Sequence, residues 1–217
     1  MIKAPDMLKT IYRAAAGALI AFAVGMQYLL LVSGKSGEAL ATSTINFFSF
    51  FTILTNVLAA VAMLLPLLAP NSAAGRFLDR PSVRTAITGY IIMVGTIYYL
   101  LLRNLSQRQG WSMFFEHMLH YVTPPLFVLD WLLFVPKREV GWRVGFAALG
   151  FPLAYTMWTL VHGAASGWYP YPFLDVVDLG YPRVLANIVG LVLVFLILEL
   201  TLVGLGRWLE RYTLRNS

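Results

Sequence analysis

Six stretches of about twenty mostly apolar residues, each fenced by charge, constrain this chain more than anything else in it. They run approximately Ile11–Val32, Ile45–Leu68, Val83–Leu102, Phe114–Val135, Trp142–Val161 and Val184–Leu205. A helix of that length crosses the hydrocarbon of a bilayer, because only a helix satisfies its own backbone there. The remaining composition agrees: 59% of the residues are hydrophobic and 12% are charged, where an ordinary globular domain carries roughly a quarter charged. Such a balance excludes a disordered chain, and with no cysteine there is no disulfide scaffold, thiol nucleophile or thiolate metal site. The net charge of +6 does not point to nucleic acid, because the charges punctuate apolar runs and do not gather on a soluble face. The expected fold is an all-α integral membrane bundle of six transmembrane helices, a single domain over residues 1–217.

The basic residues orient it. Lys3, Lys9, Arg13, Arg76, Arg80, Arg84, Lys137, Arg138, Arg143, Arg207, Arg211 and Arg215 lie at the two ends and in the loops after spans two and four. Only Lys35, Arg103, Arg108 and Arg183 occupy the other three loops. Twelve against four places both termini in the cytoplasm by the positive-inside rule. The first span is not read as a signal peptide, since no small-residue cleavage pattern follows it. The longest outer connection, residues 163–183, carries Trp168, Tyr169, Tyr171 and Phe173 with Pro170, Pro172 and Pro182. It reads as a lid or as a set of interfacial anchors.

Inside the membrane the polar residues are informative, because hydrocarbon offers them no partner. Thr42, Asn46, Ser49, Thr52 and Asn56 fall within about 120° on a continuous helix. Thr52, Thr55 and Asn56 fit helix–helix hydrogen bonding. Span four opens with Glu116, His117 and His120. The two histidines share a face, and histidine carries protons near neutral pH. Pro124 and Pro125 follow and should bend that helix. Bonding to water or backbone carbonyls is the plain alternative for this pair, and a zinc site ranks below acid–base chemistry because only His162 remains to complete one. Tyr155, Thr159 and His162 share a face of span five, and Arg103 ends span three. Asp130 reads as a structural partner for Lys137 or Arg138. Ser49 lies about 6 Å and His120 about 9 Å inside their helix starts, so a hydroxyl, imidazoles, Arg103 and the aromatic loop can meet in the outer leaflet.

The segment Asn46-Phe47-Phe48-Ser49-Phe50-Phe51, the pair His117 and His120 with Pro125 beyond it, and Tyr171-Pro172-Phe173-Leu174 together resemble the androgen-induced-gene family, and more narrowly its bacterial six-span relatives. The resemblance runs from span two through the last outer loop. It implies a bacterial inner-membrane protein and hydrolysis of fatty acid esters of hydroxy fatty acids without metal or cofactor. In that family a threonine in the span-two motif is the nucleophile and the second histidine its base. By local match these positions are Ser49 and His120, serine keeping the hydroxyl. Asn46, Glu116 and His117 would orient the imidazole or stabilise the oxyanion, Arg103 would meet a carboxylate, and Tyr171 belongs to the possible lid with His162 beneath it. A transporter, channel or non-enzymatic scaffold remains the alternative. The six spans show no internal repeat of the kind many transporters carry.

Overall fold

The computed structural model describes residues 4–215, with side chains described for 6–211. Lys3 and the Arg215 side chain therefore lie outside the described residues. Among these residues the protein is all-helical. Five helices are long and apolar enough to cross a membrane: Asp6–Val32, Phe51–Leu68, Pro81–Leu102, Arg143–Ser166 and Val176–Arg211. The chain forms two compact units, Met1–Glu139 and Val140–Ser217.

In the first unit, α1 (Ala4–Val32) packs on α3 (Phe51–Leu68), α3 on α5 (Pro81–Ile97), α5 on α7 (Thr123–Phe134), and α7 back on α1. The four columns close around Ala16, Ile20, Ala23, Ala59, Ala62, Met63, Ile87, Ile91 and Phe127, all buried. Small residues let the backbones approach where lipid supplies no hydrophobic drive between helices.

Span two is not one helix. The segment α2 (Gly37–Phe48) stops at Ser49, and Phe50 is extended (φ −84°, ψ 130°) before α3 begins. The Ser49 hydroxyl donates to the Ile45 carbonyl at 2.8 Å, and the Ser49 and Phe50 amides turn back to Asn46 and Phe47. A serine that offers its own bond to the preceding turn competes with helix continuation. Thr42 and Asn46 thus ride on α2 while Thr52, Thr55 and Asn56 ride on α3, and the single polar stripe expected across all five does not form.

The short α4 (Ala73–Leu78) links α3 to α5, and α5 ends in a π turn, Tyr98–Leu102. The fourth column is helical from Gly110 to Phe134, starting earlier than the apolar run. A π turn at Met118–Val122 divides it into α6 (Gly110–His117) and α7.

Asp130 is a structural acid, as its depth implied, but its partners are not Lys137 or Arg138. Arg13 Nε donates to its Oδ1 at 2.6 Å, and Arg84 Nη2 to its Oδ2 at 2.6 Å. Arg13 also reaches Asp79 at 2.6 Å, and Arg84 the Ala62 carbonyl at 2.9 Å. Both guanidinium groups and Asp130 are essentially inaccessible. Lys137 donates to the carbonyls of Trp131, Leu132 and Val135 and so closes the end of α7.

In the second unit, α8 (Arg143–Ala147), α9 (Gly150–Ser166) and the 3₁₀ turn Pro172–Leu174 pack on α10 (Val176–Arg215). Within α10 Gly180 is non-helical (φ 72°, ψ 157°), a conformation suited to glycine, so a short helical turn over residues 176–179 precedes the long helix, which has Pro182 in its first turn. The expected long loop is therefore short. Tyr171 and Phe173 stack at 5.2 Å, Tyr171 is buried, and Asn187 Nδ2 holds the Phe173 carbonyl at 2.9 Å.

Candidate functional site

Pro124 and Pro125 have no amide hydrogen, so the carbonyls of His120 and Tyr121 lose their helical donors. The helix widens there: the Thr123 amide bonds back to Met118, five residues earlier. π turns recur at functional sites because they re-aim side chains. Here the widened turn carries His120. The facing helix α5 comes close enough only because residue 95 is glycine; a Cβ there would stand 3.0 Å from the His120 carbonyl oxygen and 3.2 Å from Pro124 Cγ. One turn further on, the buried Tyr98 stacks its ring on the His120 imidazole, with centroids 3.8 Å apart at 20°.

Both imidazole nitrogens have partners. Nδ1 lies 2.8 Å from the Glu116 carbonyl oxygen. A carbonyl only accepts, so in the neutral imidazole Nδ1 carries the hydrogen and Nε2 is the acceptor. Nε2 faces the Thr52 hydroxyl at 3.3 Å. Asn56, one turn beyond Thr52 on α3, ties the two helices together: its Nδ2 donates to the Thr52 carbonyl at 2.8 Å and to the Leu119 carbonyl at 3.3 Å. Asn56 Oδ1 and Thr55 Oγ1 are buried with no hydrogen-bond partner among the described residues. Thr52 is 7% and His120 8% exposed, which leaves the pair dry but not sealed.

The Glu116 side chain fixes the turn that supplies this carbonyl. Ser106 Oγ donates to it at 2.7 Å, and Arg108 Nε stands 3.6 Å away. Arg108 also donates to Ser112 Oγ at 3.1 Å. With its amide oriented by these neighbours, the buried Gln27 accepts from Arg108 and donates to the Ser112 carbonyl, which anchors the network on α1.

The remaining expected residues are distributed as follows. Ser49 is fully buried at the end of α2, its hydroxyl on the Ile45 carbonyl, and the hydroxyl that the imidazole meets is that of Thr52. Asn46 is half-buried on α2 and accepts the Ser49 amide at 3.1 Å. His117 is half-buried with its ring 5.3 Å from Tyr121. Arg103 is exposed and lies over the Tyr99 ring at 4.1 Å. In the second unit His162 stacks on Trp158 at 5.5 Å, and Tyr171 stacks on Phe173. From the sequence Thr52 reads as a member of the polar stripe and as a helix contact, not as the partner of His120. Tyr98, one of five aromatics and leucines in a row, carries no such signal.

A hydroxyl facing the unprotonated nitrogen of an imidazole, whose other nitrogen is held by a fixed acceptor, can give up its proton to that nitrogen, which is what an oxygen nucleophile requires. The backbone carbonyl of Glu116 stands where a triad would use a carboxylate. No protein-family model, curated protein or solved structure matches the chain.

Proposed function

We propose that the protein is a membrane-embedded hydrolase of lipid esters with Thr52 as nucleophile and His120 as general base. The carrying observation is the imposed tautomer: Nδ1–H on the Glu116 carbonyl, and Nε2 toward the Thr52 hydroxyl at 3.3 Å. Catalytic hydrogen bonds commonly tighten only when substrate binds. Nε2 takes the Thr52 proton as Oγ1 bonds to the ester carbonyl carbon. Collapse of the tetrahedral intermediate breaks the bond to the alcohol, which leaves with that proton. Water then attacks the acyl-threonine, giving its proton to the same nitrogen, and Thr52 Oγ1 regains it as the acid departs. The family resemblance supports a threonine in this motif; Thr52 supplies one three residues beyond the local-match position, Ser49.

The reading includes six crossings, with Gly110–Phe134 as the fourth, both termini in the cytoplasm, and residence in a bacterial inner membrane. The basic asymmetry supports this orientation even when Arg13 and Arg84 are set aside as partners of Asp130, since ten then stand against four. Acyl-chain entry from the bilayer suits a pair that is dry and intramembrane.

The test is turnover of long-chain ester lipids by the purified protein in liposomes. Thr52→Ala and His120→Ala should each lower kcat by about a hundredfold or more. The double variant should be scarcely worse than either, since paired groups act as a unit. Ser49→Ala should retain most activity. Full activity in Thr52→Ala would remove the assignment.

A further inference from the structure

A second site lies at the opposite end of α5 from His120, where α3 gives way to α4. A cavity of about 290 Å³ is lined by Pro66, Pro70, Gly75, Arg76, Asp79 and Arg80. Its two guanidinium groups have no carboxylate of their own among the described residues. Arg76 donates to the Asn71 carbonyl, and Arg80 lies 5.7 Å over the Phe77 ring. The one acid in the wall is already engaged: Asp79 Oδ1 accepts from Arg13 at 2.6 Å, with Arg84 3.8 Å and Lys9 3.9 Å away. Asp79 and Asp130 thus answer to Lys9, Arg13 and Arg84, and the charge of Arg76 and Arg80 is left over.

The surroundings define the ligand. The cavity sits between the last residue of one apolar helix, Leu68, and the first of the next, Pro81. Leu68 is 78% and Phe77 50% exposed, and each lies within two residues of the lining in the chain. Guanidinium groups bind phosphate oxygens with two parallel bonds each, and basic pockets at a membrane edge take acidic headgroups. We propose that this cavity binds the phosphate of an anionic phospholipid, with Arg76 and Arg80 as its ligands and the acyl chains lying along Leu68 and Phe77. The assignment is independent of the hydrolase reading.

The test uses the purified full chain in detergent and titrates three probes: dihexanoyl phosphatidylglycerol, dihexanoyl phosphatidylcholine and inorganic phosphate. Phosphatidylglycerol should bind saturably and most tightly. Arg76→Gln and Arg80→Gln should each weaken it about fivefold, and the pair roughly twenty-fivefold, while Arg76→Lys, which keeps the charge but loses the paired bonds, should fall between wild type and Arg76→Gln. Arg138→Gln removes an exposed charge from the same end of the bundle but outside the cavity, and should change nothing. Undiminished binding in the double variant, an equal loss in Arg138→Gln, or inorganic phosphate binding as tightly as phosphatidylglycerol would each overturn the proposal.

Discussion

Two residues had their roles redistributed by contacts that lie far apart in the chain. Asp130 could be read as a paired acid from its depth alone, because an unpaired carboxylate in hydrocarbon is too costly. Its partners could not be read, since Arg13 and Arg84 are 117 and 46 residues away and local spacing favours Lys137. Removing the Asp130 charge leaves the buried Arg84 with Asp79 as its nearest carboxylate, 3.8 Å away, and Arg13 with Asp79 alone. Asp130→Asn is therefore expected to destabilise the protein by about 3–5 kcal/mol, seen as a lowered midpoint in thermal or denaturant unfolding in detergent. A loss under 1 kcal/mol would show that the cluster is not a structural tie. Thr52 teaches the complementary point. Its residue type was visible, and so was its place one turn before Asn56, and Asn56 does make a helix-to-helix bond, to the Leu119 carbonyl. What local pattern could not supply was the direction of the Thr52 hydroxyl, because that depends on where α3 starts.

Elements were legible where hydropathy governs them. The long apolar runs became helices, and the Pro124–Pro125 pair did distort its column. The break at Ser49–Phe50 and the early start of α10 were not legible, because neither changes the apolar content of the run. One arises from a serine hydroxyl competing for the Ile45 carbonyl, the other from Gly180, whose positive φ separates a short helical turn from the long helix that follows. The contact between α5 and the His120 turn depends on a missing side chain, which gives no periodic signal. Gly95→Ala should force these elements apart by a few tenths of an ångström. The expected cost is about 1–3 kcal/mol of stability, together with a fall in kcat at little change in KM, because the Tyr98 stack and the Thr52–His120 distance shift together. Wild-type kcat in Gly95→Ala would separate the close packing from the site.

For the whole molecule, the proposed six crossings with both termini in the cytoplasm rest on the charge asymmetry and on counting the divided column Gly110–Phe134 with the five long apolar helices. Reporter fusions at Arg76 and Arg138 should report cytoplasm, and a fusion at Gly167 the opposite side; Arg76 and Arg138 on different sides would end the six-crossing account. The central claim is narrower, that one hydroxyl in this bundle is activated by one imidazole. It is tested most directly by treating the intact protein in liposomes with an alkyl fluorophosphonate, which phosphonylates an activated hydroxyl with loss of fluoride, and locating the adduct by peptide mass spectrometry. The account expects a single adduct on Thr52 that disappears in His120→Ala and persists in Ser49→Ala. An adduct on Ser49, or labelling of Thr52 that survives the loss of His120, would contradict it.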